Sequence, residues 1–128
     1  MDKVVFDHEQ LTNLAYWLKV ISEPNRLMLL EKIIQGVQCN CELSEALHMS
    51  NNLISHHLGI LREAGLVEVK RDPIDARWIY YSVNANAVGE LKQVFNAFFD
   101  QERIRPGRPT CRQHLLGDST PNLLKLHK

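Results

Sequence analysis

At Gly65 the hydrophobic period of the chain changes, and that change restricts the fold more than any other feature. Upstream, apolar residues recur at helical spacing. Downstream, Leu66–Arg71 sets Val67 and Val69 against charged neighbours, the alternation of a half-buried strand. Asp72–Pro73–Ile74–Asp75 has turn composition. Arg77–Val83 is rich in aromatic and β-branched residues, so it reads as a second strand.

Before Gly65 the pattern resolves into four helices. Leu11, Leu14, Ala15, Leu18 and Ile21 fall at i, i+3, i+4 and i+7, and Trp17 widens their face. Ser22 is a good N-cap for a second helix, with Glu23 and Pro24 in its first turn and Gly36 closing it. Glu42–Met49 forms a short third helix. His48–Met49–Ser50 is a turn, and Ser50 caps a fourth helix, Asn51–Ala64, with Leu53, Ile54, Leu58 and Leu61 on its buried side. After the strands, Asn84 or Asn86 caps a last long helix carrying Val88, Leu91, Val94, Phe95, Phe98 and Phe99.

The order is thus α-α-α-α-β-β-α, a mainly α (α+β) chain. Two short helices joined by a tight turn and followed by a hairpin describe a winged helix-turn-helix. The expected division is a domain over residues 1–104 and a basic tail over 105–128 that carries Cys111. From Arg103 onward six basic residues face one acid, Asp118, although the whole chain of 128 residues has a net charge of zero. The first and last helices hold more apolar surface than one small core needs. Trp17, Phe95, Phe98 and Phe99 are the expected contributors to a symmetric pairing.

No run of apolar residues is long enough to span a membrane. Residues 1–10 lack the order of a secretory signal, so the expected compartment is the cytoplasm. Three cysteines, an odd number, argue against a disulfide scaffold and leave thiols free for ligands. No phosphate loop, nucleophile elbow or paired-carboxylate signature is present, so an enzyme is not expected. His56 and His57 are adjacent on a helix and face different ways, so they make no joint metal site.

The chemistry-bearing residues form two sets. Asn51, Asn52, Ser55 and His56 are polar positions at the front of the fourth helix, where side chains reach base edges in a major groove. His57 is expected either on phosphate or against the wing. Arg71 and Arg77 flank the wing turn and suit phosphates, with Asp72 and Asp75 opposing their charge. The second set is Cys39 and Cys41, soft ligands at the start of the third helix. A helix N-terminus favours thiolates. Residues two apart do not share a helix face. Both sulfurs therefore meet one ion only where the chain is, or becomes, non-helical, and binding is expected to distort this helix.

Several separated motifs agree in order and spacing with one family. Ser55-His56-His57-Leu58, Leu61-Arg62-Glu63-Ala64-Gly65-Leu66-Val67, Ser22-Glu23-Pro24-Asn25-Arg26-Leu27 and Arg77-Trp78-Ile79-Tyr80-Tyr81 resemble the arsenical-repressor (ArsR/SmtB) family. The resemblance covers roughly residues 10–100. It implies a homodimer that binds double-stranded operator DNA and is released by an inducer, with no permanently bound cofactor. In that family Cys-x-Cys at this place marks arsenite and antimonite sensing, with a third thiolate from elsewhere. Cadmium- and lead-responsive relatives add cysteines from an N-terminal arm, which here offers only His8. The resemblance thus leaves Cys111 as the third thiol. Two alternatives stay open: a zinc, cadmium or lead site of Cys₃His type that adds His114, and a thiol redox switch. The family's zinc site on the last helix is not expected, because residues 84–102 contain no histidine. A winged helix serving only protein contacts is the remaining alternative to DNA binding.

Overall fold

The computed structural model describes residues 5–107. Its elements are α1 (His8–Ile21), α2 (Pro24–Ile34), α3 (Asn40–Leu47), α4 (Asn51–Glu63), β1 (Val67–Arg71), β2 (Ile79–Val83) and α5 (Ala85–Phe98), followed by a 3₁₀ turn at Gln101–Arg103. The expected order is therefore present. None of the described helices is long and apolar enough to cross a membrane.

Local chemistry sets the boundaries. Asp7 and Gln10 form a reciprocal capping box, so α1 starts a turn earlier than its apolar pattern. Glu23, not Ser22, caps α2: its carboxylate accepts from the Asn25 N–H, and Pro24 takes the first helical position. Ser22 instead closes α1. Ser50 and Asn84 cap α4 and α5 as their side chains allow. Gly36 and Gly65 stand just past α2 and α4 with φ of 104° and 83°, the left-handed geometry that glycine tolerates.

The core lies where α2, α3, α4 and β1 converge. Leu29, Leu43, Ile54, Leu58, Leu61, Leu66 and Val67 are its fully buried side chains. The strands pair antiparallel, from Val67 opposite Val83 to Arg71 opposite Ile79. The wing loop is longer than expected, because β2 begins at Ile79 rather than Arg77. Asp72 organises that loop by accepting from the N–H groups of Ile74 and Asp75 at 2.7 and 3.2 Å.

Both end helices leave apolar surface uncovered. On α1, Leu11, Tyr16 and Leu18 are exposed, whereas Trp17 packs on the core. No residue of α5 is buried. At its end Phe95 and Phe99 stack, and Phe98 meets both Phe99 and Phe6 edge-on.

Candidate nucleic-acid interface and thiol site

The α3–turn–α4 unit is held by local bonds. His48 takes the left-handed conformation (φ 55°, ψ 39°) that ends α3. Ser44 Oγ donates to the Met49 carbonyl at 2.6 Å across the turn. Ser50 Oγ accepts from the Leu53 N–H at 3.1 Å and starts α4.

Along α4 the buried stripe is Ile54, His57, Leu58 and Leu61, the i, i+3, i+4, i+7 set. Asn51, Asn52, Ser55 and His56 fall on the other side and are exposed. Two expectations are corrected here. Leu53 is 37% exposed and belongs to the outer face, because Ile54 occupies the buried position beside it. His57, expected on phosphate or against the wing, is only 6% exposed and turns its ring nitrogens to α2 instead. Its Nε2 lies 3.2 Å from Glu23 Oε2, and its Nδ1 lies 3.3 Å from an Arg26 guanidinium nitrogen. Burial pushes the His57 imidazole below its ordinary pKa, against the pull of Glu23.

In the wing, Arg71 donates to the Ala76 carbonyl at 2.7 Å. Arg77 lies in the loop rather than a strand and forks onto the Asp75 carboxylate at 3.0 and 2.8 Å. That contact holds the Asp75 carboxyl below its usual range. Asp75 is thus already partnered within the wing, while the Arg77 side chain remains 87% exposed.

The thiols meet at the head of α3. Cys39 is the N-cap, in extended conformation (φ −119°, ψ 158°), and Cys41 lies in the first turn. This switch of backbone conformation between the two brings their Sγ atoms to 3.0 Å. The sulfurs thus meet where the chain is non-helical, at Cys39, as their spacing requires, with α3 helical from Asn40. The expected acidity is not found at Cys39. The Cys39 thiol is not acidified by the helix end but pushed up to about 11, by burial and by the hydrogen bond with Cys41. Its Sγ donates to Glu42 Oε1 at 3.1 Å, and that bond holds the Glu42 carboxyl below its usual range.

Sequence reasoning passed over Glu42. Its position three residues after the N-cap is the capping-box signal that could have found it. It also passed over Trp78 and Tyr81. With Asn40, Asn51, Arg77 and Ile79 they line a cleft of about 290 Å³ beside the thiols. The cleft therefore touches α3, the head of α4 and the wing together. A backbone bond of 2.8 Å from the Tyr81 N–H to the Gln38 carbonyl ties the cysteine segment to β2. No cluster of three metal-ligating side chains forms among the described residues. Cys111 and His114 lie outside them.

Residues 23–69, from the cap of α2 to the middle of β1, match the model of the bacterial regulatory protein arsR family. The chain is similar to the transcriptional repressor SmtB homolog of Synechocystis sp., 32% identical over 87 residues, 68% of this chain and 64% of that one. It is similar to the arsenical resistance operon repressor of Escherichia coli, 30% identical over 107 residues, 79% of this chain and 87% of that one. A solved structure described as a possible transcriptional regulator for arsenical resistance superposes with a TM-score of 0.58 at 30% identity, covering 81% of this chain and 96% of that one. The winged helix-turn-helix, its exposed polar recognition face and these likenesses agree: the chain belongs to the arsR family of DNA-binding transcriptional repressors and is not an enzyme.

Proposed function

We propose that this repressor binds a two-fold operator as a homodimer and is released when trivalent arsenic or antimony binds Cys39, Cys41 and Cys111. The observation that carries the reading is the convergence of two soft thiols, 3.0 Å apart, at the head of the helix that packs against α4. Arsenous acid is neutral and carries three hydroxyls. Each As–S bond forms as a hydroxyl leaves, and the thiol proton departs with it as water. A protonated Cys39, its pKa near 11, suits this condensation. The same raised pKa disfavours the redox alternative, since oxidants attack the thiolate. Zinc, cadmium or lead would have to drive the proton off Cys39 into solvent.

Asn51, Asn52, Ser55 and His56 read bases, and Arg71 and Arg77 meet phosphate or the minor groove. The exposed apolar residues of α1 and the unburied α5 pair the two protomers and set the spacing of their recognition helices. Drawing Cys111 onto the site loads the junction of α3, α4 and the wing, so ligand and DNA favour different arrangements of it. The protein acts on DNA and therefore in the cytoplasm.

The test is release of bound promoter DNA titrated with arsenite, antimonite, cadmium and zinc, for wild type and for Cys39→Ser, Cys41→Ser and Cys111→Ser. Arsenite and antimonite are expected to release the wild type, and each variant to resist. Normal arsenite release from Cys39→Ser and Cys41→Ser would remove the site. Release of wild type by zinc or cadmium alone would turn the reading to the divalent alternative.

A further inference from the structure

The buried stripe of α4 contains one residue that apolar packing does not call for. His57 stands between Ile54, Leu58 and Leu61, where a leucine would pack without a polar group to satisfy. Its two ring nitrogens meet two residues of α2, Glu23 and Arg26.

Both partners are themselves held. Glu23 Oε1 accepts the Asn25 N–H at 3.2 Å as the cap of α2. Glu23 Oε2 is buried and has no hydrogen-bond partner among the described residues apart from the facing imidazole. Arg26 donates through Nε to the Val20 carbonyl and through its second terminal nitrogen to the Lys19 carbonyl at 3.4 Å, at the end of α1. One imidazole thus joins the end of α1, the start of α2 and the middle of the recognition helix.

Arg26 decides the state of that imidazole. A guanidinium only donates and does not lose its charge in a protein. Nδ1 at 3.3 Å must therefore accept, which leaves the ring proton on Nε2, facing the Glu23 carboxylate. A second proton on Nδ1 would set N–H against N–H and cation against cation.

We propose that His57 is a positioning residue for DNA binding: as the neutral Nε2–H imidazole it seats α4 on α2, and its protonation in mild acid unseats the recognition helix and weakens operator binding. The charged or titratable groups acting on it are Glu23 and Arg26 from α2 and His56 from its own helix, the last with ring centroids 5.1 Å apart. The sign follows from the depressed pKa. The seated ring stays neutral, while a released ring titrates near the ordinary value of about 6.5. The seating is complete above that value and is lost as pH falls below it.

The test uses the full chain and a DNA fragment that it selects from a random pool near neutral pH. Affinity is measured at fixed ionic strength from about pH 7.5 to about pH 5.5, the span in which imidazoles titrate. Wild type is expected to lose affinity several-fold across that span, in the direction set by the lowered imidazole pKa. His57→Gln keeps a donor and an acceptor but does not titrate, so its profile is expected to be flat relative to wild type. His56→Ala is expected to keep the acid loss. A flat wild type, an equal loss in His57→Gln, or disappearance of the loss in His56→Ala overturns the proposal. If His57→Gln does not fold, ring-nitrogen NMR of the wild type decides: a proton on Nδ1 near neutral pH refutes it, and a neutral Nε2–H ring that gains its proton as affinity falls supports it.

Discussion

Replacing Ser50 with alanine removes one hydrogen bond at a place where local structure and DNA reading coincide. Ser50 Oγ accepts the Leu53 N–H at 3.1 Å, and Asn51 and Asn52 are the first residues of the helix it starts. Loss of a serine N-cap costs about 1 kcal/mol. Since about 1.4 kcal/mol is a factor of ten, the folded population falls roughly fivefold relative to unfolded chain. Urea unfolding followed by circular dichroism, at one fixed protein concentration because the assembly is proposed to be dimeric, measures this directly. DNA affinity is expected to fall as well, because fraying of the first turn disorders both asparagines. Ser50→Asp separates the two effects. Its carboxylate caps the helix and suits the positive end of the helix dipole, so stability stays within a few tenths of a kcal/mol of wild type. The same charge repels phosphate, so affinity drops and the drop deepens at low salt. Unchanged stability in Ser50→Ala would refute the capping argument. Wild-type DNA affinity in Ser50→Asp would show that the head of α4 does not approach the phosphate backbone.

Leu43→Ala opens a cavity where α3 meets α2 and α4, at a fully buried side chain, and is expected to cost about 2–5 kcal/mol in urea unfolding. Cys39, raised from 9.0 to about 11, should react with iodoacetamide at about pH 8 roughly a hundredfold more slowly than an unperturbed thiol, because alkylation consumes the thiolate. Peptide mapping over time measures the rate, and a rate equal to that of a free thiol contradicts the Glu42 and Cys41 contacts.

The distance between reading and structure differs from residue to residue. Ser50, Asn84 and Gly65 act on their own backbone neighbourhood, so side-chain chemistry alone places them. Ser22 and Glu23 compete for the same cap. Their order depends on where α1 ends, which is a matter of packing. Arg77 looks like the start of a strand by composition, but Asp75 two residues earlier holds it in the loop.

The arrangement of helices and hairpin was determined by sequence alone, because it rests on hydrophobic period and on capping groups that act over three or four residues. So was the outward face of Asn51, Asn52, Ser55 and His56, which is the complement of the apolar stripe. Tertiary structure decided the rest. The meeting of Cys39 and Cys41 depends on one residue's backbone angles where a loop becomes a helix, and spacing alone leaves open whether the chain there is helical. The cleft beside them needs β2 folded back against the cysteine segment through Tyr81 and Gln38. His57 acquires its meaning from Glu23 and Arg26, some thirty residues away in the chain. Long-range contacts of this kind have no period, so only the packed chain reveals them.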